Sequence, residues 1–162
     1  EAPNARSAIL GMLAPDRRGV EIVEISADGK WGRLNAGERS GWAALAYLDR
    51  QAGQDDGFPA VRSCTGTEPF WGLWQEEAGW LYSSPDGPDH SLSENWRAPA
   101  SGRTDRYGLA LSWQDLSARA VIRRELCADG MTDRAFGLSV DMILTENGET
   151  RLLTGCCRLS AD

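Results

Sequence analysis

The chain has 162 residues, with 17 basic against 24 acidic side chains, a net charge of −7 and a pI near 4.8. That balance excludes a nucleic-acid-binding role, which needs a basic face to neutralise phosphates, and it disfavours adsorption to anionic lipid. Seven tryptophans and a 41% hydrophobic content are enough for a packed core. No apolar run approaches the ~20 residues that cross a bilayer as a helix.

Strand patterns dominate from the start. Val20-Glu21-Ile22-Val23-Glu24-Ile25 mixes apolar and acidic residues as a short half-buried strand does. Asp28-Gly29 signals a turn, Lys30-Trp31-Gly32-Arg33-Leu34 resumes the alternation, and Ser40-Gly41-Trp42-Ala43 and Tyr47-Leu48 follow a second turn. Together with the loop before Ile9-Leu10-Gly11, this stretch from Asn4 to Leu48 resembles a bacterial Src-homology-3 domain. The resemblance implies a small barrel over residues 1–50. Family members begin with a strand for which no counterpart is found here, so the first strand is expected to be missing and the edge open to strand addition. It also implies recognition of cell-wall peptide, with Trp31, Trp42 and Tyr47 as candidate groove residues. A barrel this small needs its tryptophans for its core as well.

Residues 51–60 are polar, glycine-bearing and acidic, and read as a linker. Charge changes at the same place: residues 1–52 are neutral, and the remainder carries the whole −7. Residues 61–162 read as a second, antiparallel β domain, a barrel or half-barrel, so the fold class is all-β. Its clearest feature is Phe136 to Leu144, Asn147-Gly148, then Thr150 to Leu159, because Asn-Gly between strand patterns is a strong two-residue hairpin signal. That register sets Thr145 opposite Thr150 and Leu138 opposite Cys157. Cys157 then shares the core face with Leu138, Val140, Met142 and Leu153, and Cys156 lies on the other face with Ser139, Asp141 and Thr154.

Four cysteines, Cys64, Cys127, Cys156 and Cys157, lack zinc-site spacing, and the one histidine is His90. No metal or other cofactor is expected. Two disulfides imply an oxidising compartment, against the alternative of four reduced cysteines buried in a cytosolic core. The chain opens at Glu1 without a methionine, as it would after removal of a leader. Cys156 and Cys157 point opposite ways and should reach different partners. Three pairings remain conceivable, the vicinal one being strained.

Thr65-Gly66-Thr67-Glu68-Pro69-Phe70-Trp71, Cys127-Ala128-Asp129-Gly130-Met131-Thr132-Asp133-Arg134 and Gly155-Cys156-Cys157 resemble, in that order, three motifs of a family of uncharacterised bacterial envelope lipoproteins. Thr132 stands where a serine is usual. The resemblance implies a periplasmic, exported and membrane-associated location, and Cys127–Cys156 as the shared bridge with Cys64–Cys157 added. It supplies no reaction.

Glu68 and Trp71 are candidate ligand contacts, a carboxylate beside an aromatic wall. The plainer alternative makes Gly66 and Pro69 turn formers, puts Phe70 and Trp71 in the core, and pairs Glu68 with Arg134. Asp129, Gly130, Asp133 and Arg134 form a tight structural loop. Calcium needs six or more oxygen ligands, so an Asx turn pinned by the Cys127 disulfide is the better account. His90 sits among turn formers and reads as a solvated loop residue. No nucleophile elbow, phosphate loop or metalloprotease helix occurs, and no carboxylate pair is singled out. The chain is therefore read as a non-enzyme, a binding module for cell-wall peptide or a protein partner. The alternatives are an accessory or scaffold subunit docked on an envelope or inner-membrane complex and, at lower weight, a hydrolase or lysozyme-inhibitor-like barrel whose acidity suits a basic enzyme.

Overall fold

The computed structural model describes residues 3–52 and 57–159. The protein is all-β: a three-stranded sheet followed by a closed eight-stranded antiparallel barrel. The sheet comprises β1 (Glu24–Ile25), β2 (Trp31–Ala36) and β3 (Arg39–Ala44), in the order β1-β2-β3. The Val20 to Ile25 pattern yields a strand only at its last two residues, and Tyr47 closes a short 3-10 turn, Leu45–Tyr47, in place of a strand. Gly32 and Gly41 let side chains settle on one face of the sheet. A Cβ on Gly32 would stand 2.7 Å from Leu45 Cδ2 and 2.9 Å from Ile22 Cγ2, and one on Gly41 would stand 3.0 Å from Leu10 Cδ1.

The barrel runs through β4 (Ser63–Thr67), β5 (Phe70–Glu76), β6 (Gly79–Ser83), β7 (His90–Pro99), β8 (Arg106–Trp113), β9 (Leu116–Cys127), β10 (Phe136–Glu146) and β11 (Glu149–Arg158). Each strand pairs with the next, and β11 returns to β4, so the meander closes and leaves no open edge. Period-2 alternation decides what faces inward. Leu138, Val140, Met142 and Leu144 of β10 are at most 4% exposed, whereas Ile143 between them is 51% exposed. Trp80, Tyr82, Leu92, Leu109, Leu111 and Ile122 complete the filling from the other strands. An eight-stranded barrel is just wide enough for its own side chains, and apolar ones fill this interior. Trp74 and Trp96 lie on the outer face, where each ring occupies the space that a Cβ on Gly72 or Gly108 would need.

The β10–β11 turn is Asn147-Gly148, with both residues at positive φ (51° and 84°), and the register is the one read from the sequence: Thr145 opposite Thr150, Leu138 opposite Cys157. The disulfides are Cys64–Cys157 and Cys127–Cys156, the pairing implied by the lipoprotein resemblance. Cys156, although on the outer face, is 3% exposed because it is bonded to Cys127 there.

The sheet and the barrel touch through the loop between β9 and β10. The Asn35 side chain bonds both backbone groups of Ala135, Nδ2 donating to the carbonyl at 2.8 Å and Oδ1 accepting from the amide at 3.0 Å. Arg134 Nε donates to the Gly37 carbonyl at 2.8 Å, and Arg39 forms an isolated parallel bridge with Asp133. Glu21 accepts from the Leu159 amide at 3.0 Å. Of the 51–60 stretch, residues 53–56 lie outside the described residues. Phe58 already packs edge-on against Tyr107 at 5.8 Å, with the Arg97 guanidinium over its ring.

Adjacent β10 residues give a direct test of the alternation. Met142→Ala should cost about 2–5 kcal/mol, as truncation of a fully buried side chain does. Ile143→Ala next to it should stay within about 1 kcal/mol. Denaturant melts of the two variants check this; similar costs would contradict the assigned inward face.

Candidate functional site

The three motifs named above meet on the outside of the barrel. β4 and β5 are joined by a two-residue turn, Glu68-Pro69, with a cis peptide between them, and Thr67 opposite Phe70. The turn leaves Glu68, Pro69 and Phe70 exposed and sends Trp71 inward, where it is 4% exposed. Phe70, at 54% exposed, therefore does not enter the core as the plainer sequence reading expected; outward alternation in β5 takes it to the surface.

Trp71 fixes the geometry beneath the motifs. Its Nε1 donates to the Thr154 carbonyl at 3.2 Å. A Cβ on Gly66 would stand 2.0 Å from that nitrogen, and one on Gly155 would stand 2.2 Å from the Thr65 carbonyl oxygen. Both motif glycines are thus required by close approach. The second motif is tied to the first by Thr67 Oγ1, which donates to the Asp129 carbonyl at 3.0 Å, and to the third by the Cys127–Cys156 bond.

Asp129 organises its own loop. Its Oδ1 accepts from the Met131 and Thr132 amides at 3.0 Å each, and its carboxylate also accepts from the Thr132 hydroxyl. Gly130 supplies the positive φ (72°) that the turn needs. Burial acts to raise the Asp129 pKa, but the bonds from Thr132 and Met131 and the nearby Arg134 outweigh it, holding the carboxyl below its ordinary 3.8. This is the Asx turn expected from the sequence, with Asp133 and Arg134 turned to the three-stranded sheet.

Between these parts lies an open groove of about 440 Å³. It is lined by Thr65 to Glu68, the Cys127 to Asp129 segment, Ser139 to Asp141, Thr154 to Cys156, and Arg123 and Glu125 from β9. Arg123 is ion-paired with Asp141 and lies 3.8 Å from Glu125, which in turn accepts from the Ser139 hydroxyl. Four carboxylates thus face the groove against one guanidinium. Four hydroxyls add donors and acceptors. The arrangement can hydrogen-bond a polar ligand and favours a cationic one.

Of the residues singled out from the sequence, Glu68 and Asp129 line this groove, and Trp71 lies buried beneath its Gly66 edge. Trp31 and Trp42 are half-buried on the face of the sheet that carries Asn35, and Tyr47 is 89% exposed; none of the three lines the groove. Arg123 and Glu125 are not among the candidates read from the sequence, whereas Thr65 opens the first motif. Ser139, Asp141 and Thr154 had been placed on the face of Cys156 by register alone, which is the signal that could have located the groove. His90 is corrected: it opens β7 with its side chain 14% exposed, 3.6 Å from Glu146 and with its ring 5.1 Å from that of Trp113. Strand pairing with Tyr82 draws it out of the expected loop. Among the described residues no group of three or more His, Cys, Asp or Glu is arranged to hold a metal ion.

The Asp129 turn sets a pH dependence. A depressed folded-state pKa contributes stability that is present above about pH 4 and is lost as pH falls through the folded value. Asp129→Ala should cost about 1 kcal/mol near neutral pH, and its deficit against the parent should shrink below about pH 4. Urea melts across that range check it; a deficit that is constant with pH would contradict the assignment. No family model, curated protein or solved structure compared with the chain matches it.

Proposed function

We propose that this chain is a non-catalytic binding module of the bacterial cell envelope, and that its barrel groove takes a polar ligand, either cell-wall peptide or a segment of an envelope protein. The observation that carries this reading is the convergence of three motifs, far apart in sequence, on one open groove. Their glycines, cysteines and Trp71 hold the groove in shape, while Glu68 stands exposed at its rim. Structural demands account for the buried members of the motifs but not for Glu68, whose carboxylate is free to meet a ligand.

Two disulfides are consistent with an oxidising compartment outside the cytoplasm. Among the described residues no helix is long and apolar enough to cross a membrane. The periplasm is the compartment that fits the disulfides and the envelope resemblance together.

A second reading, an accessory subunit docked on an envelope or inner-membrane complex, draws on the three-stranded unit. Ile9 and Met12 are 84% and 94% exposed, and Tyr47 is exposed nearby in sequence terms to Leu45, which packs on Gly32. Exposed aliphatic side chains in one segment mark an interaction surface. On either reading the protein acts by holding a partner.

Glu68→Gln removes one charge from an exposed turn, so stability should change by no more than about 0.5 kcal/mol. Capture of purified sacculi, or of partners from native envelope extract, should weaken severalfold. Undiminished capture by the folded variant would contradict the groove, and turnover of a cell-wall substrate by the pure protein would contradict a non-catalytic role.

A further inference from the structure

The groove does not end at its polar wall. Asp141 and Thr154, which pair across β10 and β11, are followed one outward row along by Ile143 and Leu152, which also pair directly. Val121 of β9 stands opposite Asp141 on the same outer face. These three aliphatic side chains are 44%, 51% and 65% exposed for Val121, Ile143 and Leu152, on a sheet face where alternation would ordinarily place polar residues. An acidic, hydroxyl-lined groove therefore runs straight into an exposed aliphatic step.

We infer that this composite face docks an extended segment of a basic partner protein, in which a lysine or arginine lies two to four positions from an aliphatic residue. The inference rests on the groove reading above and deepens it by naming the partner's chemistry. Strand geometry sets the spacing. Outward rows on β10 are two residues apart, about 7 Å at ~3.3 Å per residue, so an aliphatic side chain over Ile143 and Leu152 places a cation beside Asp141 or, one row on, deeper in the groove. Arg123 is already held by Asp141 and Glu125, and Arg119, opposite Ile143, donates to the Leu111 and Ala118 carbonyls. Asp129 is engaged by its own loop with Arg134 nearby, which leaves Glu68 as the groove carboxylate in excess. The chain's −7 acts in the same direction at longer range: it steers a basic protein toward this face and repels a second copy of this chain.

The test uses the full chain and a labelled extended peptide of about ten residues, the length of a strand here, with leucines and arginines at the stated spacing. Two companion peptides carry glutamate for arginine, or serine for leucine. Anisotropy titration should show saturable binding of the first peptide, at least about tenfold weaker binding of each companion, and loss of affinity as salt is raised. Ile143→Thr with Leu152→Thr keeps strand-forming side chains on an exposed face and should weaken the first peptide by a similar factor. Ile9→Ser with Met12→Ser, at positions that do not line the groove, should leave it unchanged. Equal binding of all three peptides, indifference to Ile143→Thr with Leu152→Thr, or binding abolished only by Ile9→Ser with Met12→Ser would overturn the inference. So would self-association that Ile143→Thr with Leu152→Thr removes, since a second copy would then cover the face. Ligand capture from envelope extract that depends on Glu68 but not on Ile143 and Leu152 would overturn this inference while leaving the binding role of the groove standing.

Discussion

A meander becomes a barrel only when its last strand finds its first, and in this protein that seam is short. β11 meets β4 through three register pairs, Cys156 with Thr65, Cys157 with Cys64, and Arg158 with Ser63. Two features reinforce it. The Cys64–Cys157 bond joins directly opposed residues, with Cα atoms 4.0 Å apart, and closes a separation of 93 residues. Trp71 fills the space against the seam and donates its indole N–H to the Thr154 carbonyl. Gly66 and Gly155 are required because the backbones and the indole approach too closely for any side chain. In the chain-entropy account a bridge over so long a loop stabilises by roughly 4–5 kcal/mol. That is large against the 5–15 kcal/mol by which a domain is ordinarily stable.

The outer face over this seam follows from its closure. Once β11 lies beside β4, Cys156 points outward and can hold Cys127, which brings the Asp129 loop against Thr67. The same loop carries Asp133, Arg134 and Ala135, which hold the three-stranded sheet. One segment of eight residues, 128–135, thus forms a wall of the groove and a dock for the N-terminal unit. Asp129 at the groove and Ala135 under the sheet lie in one continuous segment, tied to the barrel wall by the Cys127–Cys156 bond and by the Thr67–Asp129 hydrogen bond.

Much of this was legible because alternation and turn chemistry are local. Asn147-Gly148 fixed the hairpin register, and the register alone separated Cys157 from Cys156 by face. β4 and β7 carry little local strand signal. β4 is built from Ser, Thr, Gly and Cys, residues that read as a loop until Trp71 and the seam give them partners. β7 opens at His90 beside a run of turn formers, and pairing with β6 and β8 makes it a strand. The groove escaped for a related reason. Its residues come from β4, β9, β10 and β11, and no local pattern reports that strands so far apart in sequence are neighbours around a barrel. Arg123 looks like any outward basic residue on a strand until pairing of β9 with β10 sets it beside Asp141 and closure brings the Glu68 turn to the same groove.

The central claim is that the Cys127–Cys156 bridge holds the groove loop and the N-terminal sheet to a barrel that closes without it. Hydrogen exchange on the full chain with Cys127→Ala and Cys156→Ala tests this most directly. The account predicts that amides of 128–135, and those of β2 and β3 beyond their own hairpin bonds, lose protection, while amides of β5, β6 and the inward-facing part of β10 keep theirs. Loss of protection spread evenly through the barrel would show that closure itself needs this bridge. An unchanged loop would show that Thr67, Asn35 and the Asp129 turn hold the outer face without it. Either result would contradict the account.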